Sequence, residues 1–302
     1  MTGQVSTGQK VAASAAHGMK YVTMELGGKS PLLILPDCNL HVAVDGAMMA
    51  SKSFSFAWAR SQLIFVDFYS SGQVCTNGTR VFVPKSKETE FAKMLVRKTK
   101  NNVRMGHGMD ADVNFGPLAT KAHLDKVRSY IEHGKHIDRA TLLYDGATAA
   151  QSVSAFAETE FAEGYWCPPV IFTDCRDSMK ICTEEIFGPV LCILTYDDSD
   201  PDYLTKLLAR ANNTKLGLAA GVFTQNLNLA HSVIARLQAG ITWINSWGES
   251  PAEMSVGGWK MSGVGVENGK RALDHWSQNK STLVDMSGSI ASAFEAPVKA
   301  KL

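Results

Sequence analysis

The sequence has no charge excess of either sign. Lys and Arg number 30 against 29 Asp and Glu, a net charge of +1. That balance gives no electrostatic footprint for nucleic acid or for an anionic membrane surface. The densest basic stretch, within 92–104, reads as the solvated face of a helix. No apolar run approaches the ~18–20 residues that a membrane span needs. The opening MTGQVSTGQK lacks the apolar segment of a secretory signal. The six cysteines (Cys38, Cys75, Cys167, Cys175, Cys182 and Cys192) form no CxxC pair and no Cys/His zinc spacing. So few cysteines in so long a chain do not make a disulfide scaffold, and no metal site is expected. A reduced, cytoplasmic setting follows from that usage. There is no internal repeat.

What is present is the 45% hydrophobic share of an ordinary globular protein, with length enough for one large domain or two. Residues 1–9 read as a Gly- and Thr-rich turn, followed by a helix from Lys10 to about Gly18. Strands are expected over 21–26, 30–35, 81–84, 166–174, within 184–198, and over 217–224, 241–247 and 281–286. Helices are expected over 40–50, 87–103, 121–134, 201–212, 226–239 and about 270–277. Strands alternating with helices predict a mostly parallel sheet covered on both faces. Residues 51–68 continue no helix: they are aromatic and β-branched, with no 3.6-residue period.

Three segments carry chemistry. Cys75 lies in a turn-rich loop, GQVCTNGTR (72–80), rather than on a periodic apolar face. A cysteine is commonly a small buried hydrophobe. In such a loop, however, backbone N–H groups can lower a thiol pKa and stabilise an oxyanion. The other five cysteines read as packing or surface thiols. Glu25 ends an apolar strand before Gly27-Gly28. It is either a surface glutamate or a carboxylate facing a cleft, where partial desolvation raises its pKa toward that of a general base. Glu184-Glu185-Ile186-Phe187-Gly188-Pro189 offers a hydroxyl acceptor and a flat stacking face, a weak signal by itself.

Taken in order, VTMELGGKSP (22–31), GQVCTNGTR (72–80), EEIFGPV (184–190) and GGWKMSGVG (257–265) resemble the aldehyde dehydrogenase superfamily, from Thr2 to about Met286. Within it, the wording of TDCRDSMKICTEEIFGPVLCIL, GLAAGVFTQNLNLAH and VGVENGK is most similar to the 4-trimethylaminobutyraldehyde and betaine-aldehyde dehydrogenases. The resemblance implies an α/β aldehyde dehydrogenase-like catalytic domain with a parallel-sheet core and an incomplete Rossmann-type cofactor domain. By this reading, 1–26 is a remnant of the cofactor domain and 27–247 the catalytic domain. Residues 248–277 return onto the cofactor domain, and 278–302 form an oligomerisation strand and tail. The missing part of the sheet, and the residue that selects NAD over NADP, would lie upstream.

The resemblance also implies roles. Cys75 would be the nucleophile that forms a thiohemiacetal, and Glu25 the base for thioester hydrolysis. Glu185 would accept the nicotinamide-ribose hydroxyls, Phe187 would pack beside the nicotinamide, and Leu26 and Gly27 would line its pocket. Gly3, Thr7 and Gly8 would belong to the turn before the helix that faces the pyrophosphate. NAD is the expected cofactor, with NADP open, and a small aldehyde the substrate, in a homo-tetramer.

The sequence departs from the family pattern in four places. Gln4 replaces a common serine, Val256 an aromatic and Val266 a basic residue, and an insertion at about 51–66 (Phe54, Phe56, Trp58, Ile64, Phe65) precedes the nucleophile loop. Trp243 and Trp247 are either core tryptophans or aromatic faces for a quaternary ammonium group. Two further readings stand beside the enzyme: a catalytically impaired fragment acting through subunit association, and a thiol hydrolase using Cys75 alone.

Overall fold

The fold is taken from a computed structural model that describes residues 1–48, 68–109, 113–148, 163–286 and Gly288. The expected insertion at 51–66 lies outside them. In chain order the elements are α1 (Val5–His17), β1 (Met24–Glu25), β2 (Pro31–Ile34), α2 (Leu40–Met48), β3 (Arg80–Pro84), α3 (Glu88–Asn102), α4 (Lys121–His136) and β4 (Thr141–Asp145). There follow β5 (Val170–Thr173), α5 (Lys180–Thr183), β6 (Val190–Tyr196), α6 (Tyr203–Asn212), β7 (Leu216–Gly217), β8 (Ala219–Phe223), α7 (Leu227–Arg236), β9 (Ile241–Ile244), β10 (Trp259–Lys260) and β11 (Gly263–Val264).

Seven strands form one sheet in the order β4-β5-β6-β3-β2-β8-β9. All pairings in it are parallel except the edge pair β4-β5. The apolar runs that make the strands legible also explain their place. Leu32, Leu33, Ile34 and Leu35 are all fully buried, and alternate residues join opposite cores. One core packs Leu33, Phe82, Phe172 and Leu194 beneath α4, α6 and α7; the other packs Leu32, Val81, Ile171 and Ile193 against α2 and α3. A strand buried on both faces has no polar alternation to offer, which is why these segments read as continuous hydrophobic runs. Each such leucine or phenylalanine contributes about 1.5–3 kcal/mol by leaving water.

Several expectations change. The first helix begins at Val5, not Lys10, because Gly8 lets the helix press onto Leu26: a Cβ there would stand 2.7 Å from the Leu26 methyls. The strand expected over 21–26 shrinks to Met24–Glu25, paired with β11 and bridged once to Thr2. Tyr21 is 97% exposed and has no sheet to join. The helix expected at 270–277 is a 3-10 turn over Lys270–His275. Residues 281–286 form no strand; Leu283 is 94% exposed and meets no free sheet edge among the described residues. The remaining five cysteines are all buried, so none is a surface thiol, and all six are free. Among the described residues no helix is long and apolar enough to cross a membrane.

Candidate active site

The chemistry-bearing loops converge because of sheet order. Strands β6, β3 and β2 are adjacent and parallel, so the segments leading into them emerge at one end of the sheet. These are 184–189 before β6, 72–79 before β3 and 27–30 before β2. The site therefore lies at the amino ends of the strands. That is the opposite end from the carboxyl-end crevice usual in open α/β sheets.

The loops enclose a cleft of about 620 Å³, lined by Glu25, Cys75, Glu185 and Phe187 together with Gly3, Leu26 and Gly27. Seven of the nine residues singled out in the sequence thus share one cavity. Thr7 and Gly8 do not: Thr7 is exposed on α1, and Gly8 packs beneath Leu26. A helix that starts at Val5 turns both away from the cleft. Trp243 and Trp247 are also absent from it. They are buried, their ring centroids 5.0 Å apart, and the Trp243 indole N–H donates to the Glu249 carbonyl at 2.7 Å. They are core tryptophans.

Gly27 and Gly28 are required by close approach. A Cβ on Gly27 would lie 2.2 Å from a Glu185 carboxylate oxygen, and one on Gly28 would lie 2.1 Å from the Cys75 carbonyl. The bare Gly-Gly backbone thus lets the Glu185 loop and the Cys75 loop close over the start of β2. The contact is completed by the Gly28 N–H, which donates to Glu185 Oε1 at 2.9 Å.

The electrostatics partly reverse the sequence expectation. Burial pushes the Cys75 thiol up, and the Glu185 and Glu25 charges push it further. The backbone N–H groups of Cys75 and Thr76 pull it down, as expected of a turn-rich loop, but they do not outweigh burial. Cys75 therefore rests as a thiol. Glu25 is raised to about 7, first by burial and then by the Glu267 charge. Its Oε1 is buried with no hydrogen-bond partner among the described residues. A carboxylate poised near neutrality beside a protonated thiol is a proton acceptor in the useful range. Glu185 is likewise raised by burial, against the pull of the Gly28 N–H, Lys126 and Lys29.

Helix α4 adds residues that the sequence reading passed over. His123 and Lys126 line the same cleft. His123 Nε2 bonds the Phe187 carbonyl at 2.7 Å, and the two rings stack with centroids 5.7 Å apart. Burial lowers the His123 pKa, so near neutrality the neutral ring donates its Nε2–H to that carbonyl. This contact holds Phe187, whose φ is 61°, in the strained turn that aims it at the cleft. The available signal was only the three-residue spacing of two polar side chains, which on an amphipathic helix reads as a solvated face.

Known proteins share this fold. The model of the aldehyde dehydrogenase family matches residues 1–282. An aldehyde dehydrogenase from Bacillus cereus, solved as an NAD+ complex, is 36% identical with a TM-score of 0.79, over 94% of this chain and 51% of that one. An NAD-dependent aldehyde dehydrogenase from Sinorhizobium meliloti is 31% identical with a TM-score of 0.82, over 97% and 52%. A betaine aldehyde dehydrogenase from Staphylococcus aureus, in complex with NAD+, is 30% identical with a TM-score of 0.78, over 91% and 49%. The chain spans about half the length of these structures.

Proposed function

The chain belongs to the aldehyde dehydrogenase family, and we propose that it oxidises an aldehyde to the carboxylic acid with NAD, through a covalent adduct on Cys75. The observation that carries this reading is the convergence of Cys75, Glu25 and Glu185 on one cleft. The Cys75 sulfur adds to the aldehyde carbon as the thiol proton is released to solvent, which leaves Glu25 ionised for the later step. The carbonyl oxygen takes up charge beside the Cys75 and Thr76 N–H groups, which already act on the sulfur. The resulting thiohemiacetal is set to lose hydride, for which NAD, when bound, would be the acceptor. Cys75 is left as a thioester, and Glu25 takes a proton from the water that hydrolyses it.

The residues present fit the nicotinamide-ribose end of NAD. Glu185 is an acceptor held in place by the Gly28 N–H, and Gly27 has no side chain to obstruct it. Phe187 gives an apolar face steadied by His123. Leu26 and Gly3 line the remainder of the cleft. NADP would differ at the far end of the dinucleotide, away from these residues.

Within the family, the substrate we favour is an amino- or trimethylammonium aldehyde. The wording of 173–194 supports it, as does the likeness to a betaine aldehyde dehydrogenase. So does the lining of the cleft, where two carboxyl groups, Glu25 and Glu185, stand with one lysine, Lys126, among the described lining residues. Subunit association would use 281–286, whose Leu283, Val284 and Met286 are exposed.

The test is NADH formation by the purified chain from a trimethylammonium aldehyde and from its uncharged isostere. The cationic substrate is expected to win by about tenfold in kcat/KM, the equivalent of about 1.4 kcal/mol. Equal rates would remove the charge preference. No NADH from either, with no quench of tryptophan fluorescence by millimolar NAD, would leave the chain a catalytically impaired member of its family.

A further inference from the structure

A second group of cysteines lies away from the cleft. Cys175 follows β5, Cys182 sits in α5 and Cys192 lies within β6. They are separated in sequence by other residues and form no motif, yet their sulfur atoms all lie within 4.8 Å of one another. All three are free and buried: Cys175 is 6%, Cys182 2% and Cys192 0% exposed. They belong to the core beneath α4, α6 and α7, where three apolar side chains would pack as well as three thiols do.

The surroundings are not those of an apolar core. Lys29 is 2% exposed, and its Nζ has no hydrogen-bond partner among the described residues. Its charge acts on Glu185 at the cleft and on Cys182 and Cys192 at the core. Arg80 is 3% exposed and also acts on Cys182 and Cys192. Its guanidinium donates to the Lys29, Arg210 and Ala211 carbonyls, so it is held by neutral acceptors. The nearby Asp177 is already engaged by Arg210 at 2.7 Å. Two buried cations thus act on the three-thiol cluster, while Glu185 and Asp177, the carboxylates that act with them, are engaged by the Gly28 N–H and by Arg210; a buried cation short of anionic partners is costly.

We propose that Cys175, Cys182 and Cys192 form a binding site for a soft, thiophilic monovalent cation, Cu(I). Binding replaces three S–H bonds by three S–metal bonds, and the three protons leave to solvent. The trithiolate complex of a monovalent ion carries two negative charges, which Lys29 and Arg80 balance. A trigonal metal about 2.3 Å from each sulfur sets the sulfurs about 4 Å apart, within the spread of this cluster. Zinc suits the site less well. It takes four ligands in closed sites, whereas this cluster brings together three Cys, His, Asp or Glu side chains among the described residues. Because Cys192 has no exposed surface, the ion enters during folding or through opening of the one-turn helix α5. The site is independent of the proposed oxidation: it uses neither Cys75 nor Glu25.

The experiment uses the full chain with Cys75→Ser, so that the cleft thiol does not compete. The chain is refolded without oxygen in the presence of Cu(I), then passed through a competing Cu(I) chelator and desalted. One copper per chain is expected, with an X-ray absorption spectrum showing three sulfur neighbours. Cys182→Ala should lower retained copper at least tenfold. Cys38→Ala removes an equally buried cysteine outside the cluster and should leave retention unchanged, which separates loss of a ligand from loss of the fold. No retained copper, retention that survives Cys182→Ala, or retention of Zn(II) in place of Cu(I) would overturn the assignment.

Discussion

The two walls of the cleft are built very differently. The wall that carries Cys75, Glu185 and Phe187 is rooted in β3 and β6, with every residue of β3 buried and all but one residue of β6. The wall that carries Glu25, Leu26 and Gly3 belongs to residues 1–26, where α1 buries only Gly8 and β1 is two residues long. Backbone bonds hold this thin wall: Gly3 N–H to the Glu25 carbonyl at 3.1 Å, Leu26 N–H to the Ser262 carbonyl at 2.7 Å, and the two-residue pairing with β11. Cys75, the proposed nucleophile, therefore sits on the stiff side and Glu25, the proposed base, on the side that opens at least cost. Positioning of the base, more than of the nucleophile, is where this cleft is vulnerable.

The strongest perturbation falls on the stiff wall. Cys75→Ala removes the only sulfur in the cleft among its described lining residues. Aldehyde oxidation should fall by about 10⁴ or more, the scale for loss of a nucleophile. NAD binding, read by fluorescence, should remain. Oxidation that survived would place the nucleophile elsewhere and end the comparison.

Glu25→Gln acts on the thin wall and should give effects of opposite sign. Turnover is expected to fall by about 10²–10⁴, the usual worth of a general base. Alkylation of Cys75 by iodoacetamide should become faster, because the Glu25 charge is one of the influences that keep the thiol protonated. A variant that slowed both would show that Glu25 activates the sulfur more than it restrains it. Steady-state rates and alkylation half-times at one pH decide between these outcomes.

Much of the stiff wall was legible in the sequence, and little of the thin one. Apolar runs such as 31–34 and 190–196 announce central parallel strands, and three such strands side by side fix where the loops at 27–30, 72–79 and 184–189 meet. Cys75, Glu185 and Phe187 were therefore recoverable from motif and order. The thin wall depends on close approaches that composition does not encode. Gly8 read as a turn residue, but it is the contact that lets α1 start early on Leu26. The Gly-rich stretch at 257–269 supplies the two-residue strands β10 and β11, too short for any alternation to register. Glu267, which raises Glu25, reaches it only through that return segment. His123, Lys126 and the three-thiol cluster were hidden for a related reason: what joins them is packing between elements distant in the chain.

The tie between the walls can be cut at one hydroxyl. Ser262 is fully buried; its Oγ donates to the Gly27 carbonyl at 2.7 Å and accepts the Gly217 N–H at 2.8 Å. Ser262→Ala leaves both backbone groups buried without that partner, a loss of about 1–3 kcal/mol. Chemical denaturation should show that loss. Amide exchange should locate it at 24–28 and 259–264 before the seven-stranded sheet. Uniform loosening of the whole chain would mean that the walls are not separable.

The smallest effect is the most specific to the base. Glu25 has a folded-state pKa of about 7 against an ordinary 4.5. Between those values the folded chain keeps a proton that the unfolded chain has released. The stability linked to this carboxyl is thus complete below about 4.5 and is lost as pH rises through about 7. Turnover runs the other way, since the base must be ionised, and should climb through the same range. Glu25 is only half-buried, so solvent screening holds the stability change to about 1 kcal/mol or less. Glu185, also raised by burial, adds a loss of the same sign, so the comparison must be with Glu25→Gln across pH 5 to 8. The wild-type Tm should fall more steeply than that of the variant. Parallel slopes would mean that the thin wall leaves Glu25 in water, and the base would then have no raised pKa to work with.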